Sequence, residues 1–318
     1  MKRLCFVFLL LCLSLPSHVF AYGCSLRGRV IIIDAGHGIG SPGGVLWEYG
    51  YFEHRRMFVL ANFLRDELEN RGATVHMTRN CYIDVPNPVR PALMNRWSLE
   101  ALLSDRKYKL ESGSLSIRER IKLVEEINRL TVSLELLDKL INNHRVYAKL
   151  YLNYPFDYTF QTRIHPSWRQ VLEFQSDPLI RYNWLAISLH SNGNSNAFVR
   201  GADVFFSSNS NPRNRFYFSG YSHQDISEQF GRMLLDGIET VGIRANRVRR
   251  HHFMIIRETN IPAVLTENGF HTNFHDRRLL MDDDFMQRLA IVYADTIEAY
   301  FALINQRTTH VCNWFWFK

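Results

Sequence analysis

Four side chains scattered along the chain have the types that metal-assisted hydrolysis needs: His37, Glu53, His190 and Glu267. Three of them follow short apolar runs. His37 comes after Val30-Ile31-Ile32-Ile33-Asp34-Ala35-Gly36, His190 after Trp184-Leu185-Ala186-Ile187-Ser188-Leu189, and Glu267 after Ala263-Val264-Leu265-Thr266. Such runs read as strands buried on both faces. In an open α/β sheet, ligands collect at the carboxyl ends of the strands. Parallel strands would bring the three residues to one edge. Glu53 arrives from a helix. It falls in line with Met57, Leu60 and Leu64, so it heads a core-facing stripe. A carboxylate there is expensive unless paired or bound to a cation. Taken alone, Glu53 also fits a helix-terminal acid favoured by the macrodipole. Glu48, between Trp47 and Tyr49, is the rival acid, with no periodic reason to point inward.

Two histidines and a carboxylate around an open fourth position form the ligand set of a catalytic zinc. Zinc lowers the pKa of bound water to about 7. A carboxylate outside the metal shell must then handle the proton, and Glu267 fits that role by position. A fourth protein ligand would close the shell, which describes a structural site. No single spacing is diagnostic. The signal is four groups converging on one edge.

The elements that must position them alternate. A glycine-rich loop, 38–50, leads to a helix over 53–70, with its stripe at Met57, Leu60, Leu64 and Leu68 and Gly72 just past its end. Thr74 to Met77 reads as a second strand, parallel to the first because a helix joins them. Residues 80–114, with Pro86, Pro88 and Pro91, read as irregular. Ser116 opens a long helix to about Asn143, and 145–182 is aromatic-rich and poorly periodic. Ala202–Phe206 is a strand, Gln224–Val241 a helix, Phe253–Ile256 strand-like, and about Asp284–Ile304 a last helix. Asn268 and Gly269 would let the chain turn away after Glu267. The expected fold is a three-layer α/β domain, with a mostly parallel sheet flanked by helices. A largely helical insertion occupies about 80–182, and its part over 129–182, leading into the His190 strand, could restrict access to the cleft.

The chain has 318 residues, 46% hydrophobic and 22% charged, which suits a sizeable core. Lys2 and Arg3, the apolar run Leu4 to Leu15, and Val19-Phe20-Ala21 read as a secretory leader cleaved after Ala21. The formal net charge is +7; loss of two bases and no acids with the leader leaves +5. That suits an anionic surface but is no nucleic-acid signature. Cys24, Cys81 and Cys312 then remain, with a spacing that matches no metal motif. Lipidation at Cys24 is disfavoured by the poor lipobox Ala21-Tyr22-Gly23.

Asp34-Ala35-Gly36-His37-Gly38 with Pro42-Gly43 and Glu53 resembles the opening motif of the zinc-dependent N-acetylmuramoyl-L-alanine amidases of the amidase-3 type. Ser188-Leu189-His190-Ser191-Asn192 is similar to their second histidine motif. Pro262 to Phe270, with Asn273, is similar to their closing glutamate motif, and Leu115-Ser116-Ile117-Arg118-Glu119-Arg120 to their helix-opening segment. The resemblance covers 30–79, 115–128 and 184–304. It implies one Zn2+ held by His37, Glu53 and His190, with Glu267 as catalytic acid/base. The implied reaction is hydrolysis of the amide between N-acetylmuramic acid and L-alanine, with peptidoglycan as partner and an exported, cell-wall location. Ala35 stands where the family commonly has proline. The loop before Glu53 is about one residue longer than usual, so Glu48 stays a rival ligand. A zinc peptidase on the same scaffold and a non-catalytic wall-binding protein are the alternatives, since fold does not fix substrate. His251, His252, His271, His275 and Arg257 are lesser candidates: an exposed pair, two cleft-lining groups, and a peptide contact or surface ion pair.

Overall fold

The structure, a computed structural model, describes residues 25–151, 165–208, 210–211, 216–217 and 223–315, with side chains described to 306. The expected leader, Cys24 and the side chain of Cys312 lie outside the described residues. Cys81 is a free, exposed thiol. Among the described residues no helix is long and apolar enough to cross a membrane.

Val30–Ala35 forms β1. The glycine-rich loop carries a small ribbon, β2 (Val45–Leu46) and β3 (Tyr51–Phe52), and runs directly into α1, Glu53–Asn70. Helix α1 buries Met57, Leu60, Leu64 and Leu68, the stripe its periodicity predicts. Strand β4, Thr74–Met77, returns parallel to β1. Helices α2 (Val89–Ser112) and α3 (Ile117–Asn142) follow. Ser116 caps α3 in a reciprocal box with Glu119. Short helices α4 (His144–Tyr147), α5 (Pro166–Leu172) and α6 (Pro178–Asn183) lead to β5, Trp184–Asn192. Then come β6 (Ala202–Phe206), the small strands β7 (Ser210–Asn211) and β8 (Phe216–Tyr217), and α7 (Gln224–Thr240). The chain ends with β9 (Ala245–Arg250), α8 (Met254–Arg257), β10 (Ala263–Phe270), α9 (Phe274–Leu280) and α10 (Asp283–Phe315).

The main sheet has the order β4-β1-β5-β10-β6-β9. Strands β4, β1, β5 and β10 are mutually parallel; β6 and β9 run the other way, joined to β10 by an antiparallel ladder. One face packs Ile31, Ile33, Ile187 and Val264 against Leu64 of α1, Phe230 of α7 and Phe301 of α10. The other packs Ile32, Ala186 and Leu265 against Leu99 of α2, Leu137 of α3, Trp168 of α5 and Ile255 of α8. Each fully buried aliphatic or phenyl side chain contributes roughly 1.5–3 kcal/mol. The three-layer α/β expectation therefore holds.

Three local readings are corrected. Residues 89–112 are helical, not irregular. Pro88 is the N-cap of α2 and Pro91 lies in its first turn, where no intrahelical N–H bond is lost. Phe253–Ile256 is not a strand: Met254–Arg257 is a helical turn, and the strand is Ala245–Arg250 just before it. Asn268 and Gly269 do not turn the chain away. They form a bulge within β10, where Gly269 has φ 122.

Candidate metal centre

His37, Glu53 and His190 converge, with one ligand atom from each lying within 4.8 Å of the others. They come from the turn after β1, the first residue of α1 and the body of β5. Glu53 Oε1 lies 3.3 Å from His37 Nε2 and 3.1 Å from His190 Nδ1. The two imidazoles meet edge to face, with centroids 4.8 Å apart. Glu53 is 3% exposed. Its Oε1 also accepts from the Ser191 amide at 3.1 Å, and its Oε2 from the Gly44 amide at 2.7 Å. Burial pushes the Glu53 carboxyl up, but hydrogen bonds from His190 and His37 more than offset it, so it lies well below the usual carboxylate range. Burial lowers the His37 imidazole, and the Glu53 bond and charge outweigh it upward. Glu48 is exposed on a 3-10 turn and joins no such cluster.

The local chain is shaped for this convergence. A Cβ on Gly36 would come within 2.4 Å of the His190 ring. One on Gly43 would come within 2.4 Å of Glu53 Oε2 and 2.5 Å of His37. His37 has φ 62, the single non-glycine residue at positive φ among the described residues. Such strain persists only where the surroundings over-determine it. Two buried arginines do so. Arg90 donates to the His37 carbonyl at 2.8 Å and to Ala35 O at 2.9 Å. Arg79 donates to Ala35 O at 2.8 Å and to Gly36 O at 3.2 Å. Arg90 is anchored by the buried Asp34 at 2.7 Å.

Glu267 pairs in register with His190 on the neighbouring strand. Its Oε2 is buried without a hydrogen-bond partner. Burial first, then the charges of Glu53 and Asp203, push its carboxyl well above the usual range. Asn268, beside it, is buried; it donates to the His190 carbonyl at 3.1 Å and accepts from Tyr293 at 2.5 Å.

Of the lesser candidates, His271 is buried and stacks on Tyr51, 5.2 Å between centroids. Tyr51 donates to Ser191 Oγ at 2.6 Å, and Ser191 Oγ lies 3.2 Å from His271 Nδ1. These three form a layer behind the Ser191 amide that holds Glu53. His275 is exposed, and His251 stacks on Phe253. Arg257 is not on the surface. It is buried and paired with Glu258, which also accepts from Trp168 Nε1. Sequence reading missed Tyr51, Ser191, Arg79 and Arg90 as supports. Ser191 stands beside His190, but nothing local marks the two arginines.

The sequence matches the Amidase_3 family model, described as N-acetylmuramoyl-L-alanine amidase, over residues 31–104 and 111–299. It is 30% identical over 107 residues to the sporulation-specific N-acetylmuramoyl-L-alanine amidase of Bacillus subtilis, covering 32% of this chain and 42% of that one. It is 26% identical over 158 residues to the N-acetylmuramoyl-L-alanine amidase AmiA of Salmonella typhimurium, covering 40% and 55%. The chain thus spans about half the length of these curated relatives. Among solved structures, the N-acetylmuramoyl-L-alanine amidase from Clostridium difficile 630 shares the fold, with a TM-score of 0.50 at 14% identity over 86% of this chain and 97% of that one.

Proposed function

The chain belongs to the Amidase_3 family of N-acetylmuramoyl-L-alanine amidases, and on that premise we propose that it hydrolyses the amide between the lactyl group of N-acetylmuramic acid and L-alanine in peptidoglycan. The observation that carries the reading is the meeting of His37, Glu53 and His190 within 4.8 Å at the carboxyl edge of the sheet. Two imidazoles and one carboxylate, with room for a fourth group, are the donor set of a catalytic zinc. Bound there, zinc supplies a polarised carbonyl and an activated water at neutral pH.

The remaining work falls to the chain's own residues. The Ser191 and Gly44 amides fix both oxygens of Glu53, so its carboxylate is oriented before any cation arrives. Arg79 and Arg90 hold the turn that aims His37. A cation held by His37, Glu53 and His190 would offset the burial and the Glu53 and Asp203 charges that raise the Glu267 carboxyl. As a carboxylate, Glu267, one strand from His190, would take a proton from the attacking water and return it to the departing amine. Its unpartnered oxygen is suited to that exchange.

In this reading residues 1–21 are a leader, 22–318 form one catalytic unit with the helical segment of about 80–182 inserted in it, and the protein acts outside the cytoplasm at the cell wall. N-terminal sequencing of the exported protein should begin at Tyr22. Product analysis on purified peptidoglycan, with metal analysis and a chelator control, tests the function. Free muramoyl termini with intact stem peptides are expected. Cut stem peptides would mean a peptidase, and a metal-free protein that binds peptidoglycan without cutting it would mean a wall-binding module.

A further inference from the structure

Strands β6 and β9 run opposite to β5 and β10, so the loops entering them open on the edge that holds His190 and Glu267. The registers place His190, Glu267, Asp203 and Arg247 in one row across β5, β10, β6 and β9. Residues paired in register share a face of the sheet. At about 4.8 Å per strand, Arg247 lies about 14 Å from His190. There the row opens into a pocket of about 360 Å³, lined by Arg200, Arg244, Arg247, Arg249, Asp203 and Phe198.

Four arginines and a single acid, Asp203, line this pocket. Asp203 Oδ1 lies 3.3 Å from Arg249 Nε. Among the described residues no acid stands at ion-pair distance from Arg200, Arg244 or Arg247. The walls are preformed. Asp276 accepts from the Gly201 amide at 2.7 Å, Asn246 donates to Arg200 O at 2.9 Å, and Asn273 donates to Ala197 O at 2.7 Å. Phe198, 90% exposed, forms an apolar rim. Guanidinium forks bind carboxylates in pairs of hydrogen bonds, and neutral sugars offer them no charge.

We propose that this pocket binds a carboxylate of the peptide on the departing side of the cleaved amide. An extended peptide covers about 3.3–3.6 Å per residue, so the carboxylate lies about four residues from the scissile bond. The assignment rests on the proposed function, which makes a peptide the departing group. It gives the antiparallel end of the sheet a role in substrate selection.

Calorimetric titration of the full chain with an acidic stem tetrapeptide, and with the same tetrapeptide amidated at its carboxyl groups, tests the proposal. The free acid should bind at least about tenfold tighter at low salt, and the difference should shrink at high salt. Arg244 and Arg247 are exposed, so Arg244→Gln/Arg247→Gln should fold normally and lose the preference for the acid. Equal binding of both peptides to the unaltered chain, or an unchanged preference in the double variant, overturns the proposal. A preference for the acid without hydrolysis of the muramoyl amide would sink the functional reading and leave the pocket standing. Hydrolysis without the preference would do the reverse.

Discussion

Asp34 and Glu53 are both buried carboxylates near the same sheet edge, 1% and 3% exposed. Their surroundings differ in kind. Asp34 Oδ1 accepts from Arg90 and Thr78, and its Oδ2 from Ser188 at 2.6 Å. A full positive charge and two hydroxyls satisfy it from within the chain. Burial pushes its carboxyl up, yet Arg90, then Ser188 and Thr78, bring it down to about 2. Glu53 instead faces two imidazoles, both with exposed area, and none of the three carries a permanent positive charge. One carboxylate is complete as folded. The other shares its oxygens with two backbone amides and two imidazoles, and in the proposed function this donor set is the one that a cation would complete. A buried charge that the chain neutralises by itself belongs to the scaffold; in the proposed function, the one that lacks a permanent positive partner marks the place where a cation would bind.

The largest effect should come from the unfinished set. His190→Ala should remove bound metal and hydrolysis together, read by metal analysis and product release; a variant that keeps both would dissolve the contrast. Next, Glu267→Gln keeps the shape and removes the basicity. Turnover should fall roughly 10²–10⁴-fold while zinc and fold are retained, which places Glu267 outside the metal shell. Turnover near normal, or loss of zinc, would refute that placement. On the finished side, Arg90→Ala leaves Asp34 buried with the Thr78 and Ser188 hydroxyls but no positive charge, and should cost about 3–5 kcal/mol in denaturant unfolding. It also frees the His37 carbonyl, so metal affinity should weaken with stability.

A smaller effect should appear with acid. The folded-state value of Asp34, about 2, lies below its ordinary 3.8. Its contribution, of order 2 kcal/mol, is complete above about pH 4 and is lost as pH falls through about 2. Asp34→Asn should flatten the unfolding profile across that window; an unchanged slope would remove Asp34 from the account. The smallest effect belongs to Glu48→Ala, which should leave metal and activity intact and shift stability by no more than about 0.5 kcal/mol. Should Glu48→Ala lose metal while Glu53→Ala keeps it, the helix-face argument for Glu53 fails.

The parts legible in sequence are those whose cause is local. Helix α1 shows its stripe and its end, and β1, β5 and β10 show their apolar runs. From these alone His37, His190 and Glu267 could be sent to one edge, and Glu53 preferred to Glu48. The rest depends on distant partners. Arg90 and Asp34 meet from far apart in sequence, and nothing near either announces the pair. Strand β9 is an edge strand in which Arg247 and Arg249 are exposed, so it lacks an apolar run. The α2 helix is hidden by three prolines that turn out to precede it or open it.

The left-handed backbone of His37 sets folding and chemistry against each other at one position. Asparagine tolerates this region better, and glycine occupies it freely. Replacing His37 by glycine would release strain of order 1–3 kcal/mol, against roughly 0.5–1 kcal/mol for the greater freedom of glycine in the unfolded chain. A library randomised at position 37 and sorted by survival of heating should therefore fill with glycine and asparagine. The same library sorted by turnover should return histidine. At its working edge the molecule keeps a residue that durability alone would have discarded.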